Sequence, residues 1–301
     1  MKDIIEIKNL YKSYNKKIAV QDLSIKVKEG ELYAFLGVNG AGKSTTINIM
    51  CNELKKDSGL VIIDGYNIEN DASMIKKEIG VVFQSSALDK KLSVYDNLKS
   101  RAALYDIKGK EFNERLDEIA SILDFKDYIK KPLETLSGGQ KRRIDIARAL
   151  FHHPKILILD EPTTGLDPMT RKLIWEVIDS LRKKEQLTVF LTTHYMEEAS
   201  EADYVTIIDE GKIIAEGTPL DLKNKYVGDY VLLYNVKEED VKKLNLKYMA
   251  IRDGFKISVD NTKSASELIK NNPSLFIDYE VIKGKMDDVF LSVTGKRLGE
   301  R

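Results

Sequence analysis

The sequence holds a single cysteine, Cys51. One thiol closes no internal disulfide, so nothing in the chain calls for an oxidising compartment, and packing in a core is its expected role. Net charge is also missing. Lys+Arg and Asp+Glu number 48 each, for a formal charge of zero, which removes a bulk electrostatic pull toward nucleic acid. No nucleic-acid partner is expected. No apolar run approaches the roughly 18 residues that cross a bilayer. The first residues, Met1-Lys2-Asp3-Ile4-Ile5-Glu6, alternate polar and apolar like a strand and carry no signal-peptide core. These absences predict a soluble, cytoplasmic chain. Work at a membrane would need another chain to supply the span.

What is present is a core. The 43% hydrophobic and 32% charged residues in a chain of 301 suit one large globular domain or two smaller ones. The organising stretch is Gly37-Val38-Asn39-Gly40-Ala41-Gly42-Lys43-Ser44-Thr45. It follows the apolar run Leu32-Tyr33-Ala34-Phe35-Leu36 and opens a helical segment, Thr45-Thr46-Ile47-Asn48-Ile49-Met50. This is G-x-x-x-x-G-K-[ST] in the strand–loop–helix setting that the pattern requires. Glycines let the backbone approach a ligand, and successive N–H groups with a helix N-terminus form an anion site. Lys43 is placed to reach the β- and γ-phosphates of a nucleotide, and the Ser44 hydroxyl to bind Mg²⁺.

Along the chain, residues 4–10 and 23–27 read as strands around a polar turn that carries Tyr11 and Tyr14. Residues 60–63 and 79–84 read as further strands, the second ending at Gln84. Residues 85–152 turn helical, with Leu116, Ile119, Ala120 and Leu123 on one face. This predicts a helical insertion, ending in Leu136-Ser137-Gly138-Gly139-Gln140 and a last helix. Lys155-Ile156-Leu157-Ile158-Leu159-Asp160-Glu161 reads as a central parallel strand buried on both faces. Its two acids lie at the carboxyl end, where open α/β sheets bind ligands. Neighbouring strand residues point to opposite sides, which gives Asp160 and Glu161 separate tasks. Asp167-Pro168 starts a helix with an N-cap. Residues 188–194 form another strand, tipped by His194, and a hairpin turns at Asp209-Glu210-Gly211. Beyond Pro219 the order βαββαβ predicts a small split βαβ unit followed by a short helix.

Together these motifs resemble the ATP-binding cassette (ABC) ATPases. The likeness covers residues 14–217, and the pentad Leu136-Ser137-Gly138-Gly139-Gln140 is its most specific part. The resemblance implies a P-loop NTPase (RecA-like) α/β core with an antiparallel β-subdomain and a helical insertion over 85–152. It places the ATPase domain at 1–218 and a small C-terminal α+β accessory subdomain at 219–301. It implies ATP and Mg²⁺ as ligands. The nucleotide would be held by residues 37–45 of one subunit and by Ser137, Gly138, Gly139 and Gln140 of a second, most simply in a homodimer. Asp160, with Ser44 and Gln84, is implied at the metal. Glu161 is the implied catalytic carboxylate, His194 the histidine on the γ-phosphate, and Gln84 a mobile contact to metal and water. Lys43 is the implied phosphate-binding lysine. Tyr14 is implied to stack on adenine, with Tyr11 as competitor, and Asp167 to face the partner subunit. His152 and His153 read as structural.

Flanking stretches narrow the resemblance. Phe83-Gln84-Ser85-Ser86-Ala87-Leu88-Asp89, Thr193-His194-Tyr195-Met196-Glu197-Glu198-Ala199 and residues 286–295 resemble the ATPase subunits of ABC-2-type exporters, including drug-resistance exporters. This implies an integral-membrane permease as partner. The chain would then sit peripherally on the inner face of the cell membrane. The alternative is a soluble, non-transport ABC ATPase with a regulatory or immunity role. The stretch between residues 45 and 136 is too short and too irregular for the coiled coil of DNA-repair types.

Overall fold

Strands Leu32–Leu36, Ile156–Asp160 and Thr188–Thr193 are buried along their whole length, as parallel strands covered on both faces must be. Each fully buried Leu, Ile or Phe among them contributes about 1.5–3 kcal/mol of hydrophobic stabilisation. In the computed structural model, which describes residues 2–15 and 17–295, they form the middle of a six-stranded sheet. Its order is Lys212–Gly217, Tyr204–Asp209, Leu32–Leu36, Thr188–Thr193, Ile156–Asp160, Ile79–Val82. The ladders from Tyr204–Asp209 across to Ile79–Val82 are parallel, so five strands end on one side of the sheet, and four of them lead into candidate site residues. The residues released there are Gly37, Phe83 with Gln84, Glu161 and His194. Glu210 and Gly211 turn the edge hairpin with φ 48° and 79°, the two positive values of a type I′ turn.

The described residues divide into two compact units. The first comprises residues up to His194 together with Ala202–Ile213. Besides the parallel sheet it holds an antiparallel one, ordered Lys17–Lys28, Asp3–Tyr14, Ser58–Ile63, Tyr66–Asn67. Here the polar stretch expected as a turn is strand instead. Asp3–Tyr14 runs straight through it, and Tyr14 pairs with Lys17. Register shifts between Ile7 and Ser13 absorb the irregular pattern, aided by Asn9 and Asp22 at φ 50° and 51°. Bulges of this kind hide a strand from an alternation count.

The insertion contains Val94–Ala103, Gly109–Ile122 and Gly138–Leu150, linked by 3₁₀ turns at Lys126–Tyr128 and Leu133–Thr135. Ser93 and Ser137 cap two of these helices through their hydroxyls. Leu116, Ile119, Ala120 and Leu123 are buried, as the helical spacing predicts. Gly138–Leu150 lies against strand Ile79–Val82. A Cβ on Gly80 would stand 2.3 Å from the Ala149 carbonyl oxygen, so this contact needs glycine.

The second unit comprises Tyr195–Glu201 and residues from Ile214 onward. The sequence boundary at 218/219 falls a few residues later than this packing division. Its antiparallel sheet runs Tyr248–Ile251, Gly254–Val259, Asp229–Tyr234, Tyr279–Lys283. Helices Glu238–Lys242 and Thr262–Asn271 complete a βαββαβ order. Val231, Leu233, Ile257, Ala265 and Phe276 form its core. Helix Met286–Thr294 packs on Pro219–Tyr226 and Met196–Ser200.

Because Gly80 sets how closely the last helix of the insertion approaches the sheet, Gly80→Ala is expected to destabilise the protein. The overpacking cost is about 1–3 kcal/mol, read as a lower urea midpoint at an unchanged m-value.

Candidate functional site

The loop after Leu36 depends on glycine at three points. A Cβ on Gly37 would meet the Ile208 carbonyl oxygen at 2.7 Å, and one on Gly42 the Ala19 carbonyl oxygen at 2.5 Å. Gly40 and Gly42 also hold φ 85° and 110°, values that side chains disfavour. Helix Lys43–Met50 starts without a side-chain cap. Its first N–H groups are left to an anion. Lys43 is buried and folds back over the loop. Its Nζ donates to the Gly37 carbonyl at 2.6 Å and the Val38 carbonyl at 3.3 Å, and stands 3.7 Å from Glu161 Oε1. Burial lowers its pKa, and the carboxylates of Glu161 and Asp160 oppose that shift.

The two acids divide their work differently from the expectation. The strand ends at Asp160, and Glu161 leaves it in the left-handed region at φ 48°. Their separation therefore comes from a turn in the chain, not from strand alternation. Asp160 is buried, and desolvation raises its pKa against a 2.5 Å hydrogen bond from Thr192 Oγ1. Glu161 Oε2 accepts from Gln84 Nε2 at 3.4 Å and Thr164 Oγ1 at 3.3 Å, and lies 3.3 Å from His194 Nδ1. Thus Lys43, Gln84, Asp160, Glu161 and His194 come together at one sheet edge. Ser44, Gln84 and Asp160 line one open cavity with Asn48 and Glu53.

Two residues that sequence reasoning passed over hold this arrangement. Thr192 donates to Asp160, and the Glu161 N–H donates to the Thr192 carbonyl oxygen at 3.0 Å. Arg142, buried, donates to the carbonyls of Pro162, Phe83, Asp160 and Glu161. An arginine inside the apolar pattern of helix Gly138–Leu150 was the available signal.

The pentad forms a turn at the start of that helix. The Ser137 hydroxyl accepts from the Gln140 N–H, and the Gln140 carboxamide oxygen accepts from the Ser137 N–H, a reciprocal capping box. Gly139 faces Thr170, whose Cγ2 would stand 2.5 Å from an added Cβ. Asp167 caps helix Pro168–Glu185 through the Thr170 N–H. Tyr14 ends its strand with an exposed ring, with Lys12 Nζ 5.6 Å from the centroid. Tyr11 is half-buried in the same strand. Cys51 is buried, and its thiol is pushed above the usual range.

A groove of about 830 Å³ borders Phe83. Arg101, Leu104, Tyr105, Arg148 and His152 line it from the insertion. His152 stacks on Tyr105 at 3.9 Å and its Nε2 bonds the Ile79 carbonyl at 3.0 Å. Burial, with Arg101 nearby, lowers its pKa to about 4.

A sequence profile described as ABC transporter matches residues 20–164. Linearmycin resistance ATP-binding protein LnrL of Bacillus subtilis is 39% identical over 77% of this chain and 75% of its own length. The chain belongs to the ABC transporter family. It is an ATP-binding, ATP-hydrolysing subunit of that family, of the kind that powers a membrane permease. Nod factor export ATP-binding protein I of Cupriavidus pinatubonensis is 34% identical over 98% of the chain and 92% of that protein, so the likeness extends through the second unit. The cassette also matches the ATP-binding cassette MJ0796, solved as a dimer in a post-hydrolysis state with ADP and Pi. That match has a TM-score of 0.65 and 28% identity over 71% of this chain and 98% of that one.

The residues at the sheet edge fit Mg²⁺. Ser44, Gln84 and Asp160 offer a hydroxyl, an amide and one carboxylate, the sparse oxygen set of a metal bound together with substrate phosphates. The described residues hold no cluster of three His, Cys, Asp or Glu side chains able to enclose a metal alone.

The groove makes its own pH prediction. His152 titrates near 4 when folded and near 6.5 when unfolded. Between those values the unfolded chain binds the extra proton, so the cassette loses stability as pH falls through that window. His152→Phe keeps a stacking ring, and melting temperatures at a series of pH values are expected to show a flatter decline below pH 6.5.

Proposed function

We propose that the chain closes as a homodimer on two ATP molecules and drives an exporting permease from the inner face of the membrane. The observation that carries this reading is the convergence on Glu161: Gln84, Thr164 and His194 within 3.3–3.4 Å and Lys43 at 3.7 Å. Four separate parts of the sequence meet at one spot, which supports reading them as a phosphate-binding cation, a carboxylate and its orienting donors. That set is what γ-phosphoryl transfer to water needs.

In this reading residues 37–45 wrap the phosphates with backbone N–H groups, and Tyr14 stacks on adenine. Lys43 exchanges its two loop carbonyls for the β- and γ-phosphate oxygens. Ser44, Gln84 and Asp160 would hold Mg²⁺, which would supply neutralisation of phosphate charge. Glu161 accepts a hydrogen bond from the attacking water and polarises it. The water oxygen bonds to the γ-phosphorus as the bond to the β-bridging oxygen breaks, giving ADP and inorganic phosphate. His194 donates to the γ-phosphate as charge develops there. Ser137 and the N–H groups of Gly138 and Gly139 close over the γ-phosphate bound by the second copy.

The groove beside Phe83 is the proposed seat of a cytoplasmic permease helix. Leu104 is 73% exposed at its rim, and Arg101 Nε, Arg148 Nε and His152 Nδ1 are buried in it without partners. Such atoms call for partners from outside the chain, acceptors for the two arginine N–H groups and a donor for the imidazole Nδ1. Among the described residues no helix is long and apolar enough to cross a membrane, so the span falls to the permease. Export is supported by the names of the relatives, one a resistance protein and one an export protein.

Glu161→Gln is expected to bind ATP with near-normal affinity, hydrolyse it at least about 100-fold more slowly, and persist as a dimer in light scattering. Lys43→Ala is expected to lose nucleotide affinity in calorimetry. Leu104→Glu is expected to abolish recovery of an integral-membrane partner from detergent-solubilised membranes while ATP binding stays intact.

A further inference from the structure

Helix Gly138–Leu150 starts at the Ser137 cap and packs against strand Ile79–Val82. Its polar inner face is unusual. Arg142 is 8% exposed and Asp145 4%, although charged residues are seldom buried without a task. Arg142 spends its fork on backbone carbonyls. Nε donates to the Pro162 carbonyl at 2.5 Å, Nη1 to Phe83 at 2.7 Å, and Nη2 to Asp160 and Glu161 at 3.3 Å each. These are carbonyls at or just beyond the carboxyl ends of Ile79–Val82 and Ile156–Asp160. Asp145, three residues further along the same face, accepts from the Ser86 hydroxyl at 2.9 Å and from the Ala87 backbone. Gln84 therefore sits between two tethered neighbours, Phe83 and Ser86. Glu161 is tethered through its own carbonyl.

We infer that Arg142 and Asp145 are positioning residues that tie the turn formed by residues 137–140 to Gln84 and Glu161 of the same chain. This rests on the dimer reading, in which that turn meets the nucleotide bound by the other copy. A guanidinium with four backbone acceptors is a rigid link, because its planar fork fixes all the donors together. Two anchors three residues apart on one helix resist both tilting and sliding of the helix. A shift of the helix N-terminus on the partner's γ-phosphate then moves the Gln84 backbone and redirects the Glu161 carboxylate. Each ATP site thereby senses whether the other is filled, and a permease helix seated beside Phe83 sees the same motion. The coupling is a link between two sites through one rigid element.

The test compares full-length chain with Arg142→Gln, Arg142→Lys and Asp145→Asn. Hydrolysis is followed against ATP concentration, and amide hydrogen exchange of residues 83–87 is followed in the Glu161→Gln background with and without ATP. The expected result is a turnover number at least about 10-fold lower for Arg142→Gln, a KM within about twofold of the parent, and a Hill coefficient falling toward one. Asp145→Asn, which keeps an acceptor oxygen, is expected to retain part of both turnover and cooperativity. ATP is expected to slow exchange at 83–87 in Glu161→Gln and to leave it fast once Arg142→Gln is added, although the dimer still forms. Unchanged turnover and cooperativity in folded Arg142 variants would overturn the inference. So would ATP-dependent protection of 83–87 that survives them. If Arg142→Gln does not fold, Arg142→Lys and Asp145→Asn carry the same two readouts. Failure of Glu161→Gln to dimerise with ATP would instead count against the dimer reading.

Discussion

A buried ammonium governs the site. Lys43 is 5% exposed, and taking a cation out of water costs several kcal/mol unless partners replace the solvent. Here the replacement is two loop carbonyls and a carboxylate 3.7 Å away. That requirement explains the local architecture. The loop must close tightly enough for its carbonyls to face Lys43, hence the crowded glycines at 37 and 42. The strand two places across the sheet must end in acid, and Glu161 must turn back toward the loop, hence its left-handed backbone. A γ-phosphate is chemically what these partners imitate: an anion set over backbone groups.

Burial also tunes the strand-end aspartate. Asp160 is pushed toward the neutral form by desolvation, and the Thr192 hydroxyl and Lys43 restrain that shift. A divalent cation beside it would reverse the effect, since the charge of the ion outweighs desolvation. Glu161, one residue on, meets four groups through side-chain contacts of 3.3–3.7 Å. Those contacts are long, as expected of a carboxylate that is oriented but still free to take a hydrogen bond from water.

Much of this was legible because the chemistry is local. The phosphate loop, the strand-end acids and the capping turn are contiguous words whose backbone demands are met within a few residues. The continuous apolar run before Asp160 marks a strand with both faces covered, and the βαββαβ order beyond Pro219 follows from turns and short periods. Three things were not legible. The strand Asp3–Tyr14 was broken in the pattern by bulges that shift its pairing. The turn that separates Asp160 from Glu161 rests on a positive φ at a residue that is not glycine, which composition does not mark. Thr192 and Arg142 act on the backbone of residues distant in sequence, and such long-range hydrogen bonds have no periodicity to betray them.

The central claim is that a complete hydrolytic site needs the phosphate loop of one chain and the Ser137 turn of another. The most direct measurement mixes two disabled variants, Lys43→Ala and Ser137→Phe, and follows phosphate release. Neither alone has a whole site, but a mixed dimer pairs the intact Lys43 of one chain with the intact Ser137 of the other. The account predicts hydrolysis in the mixture that both parents lack. A mixture as inactive as its parents, with mixed dimers demonstrably formed, would contradict it.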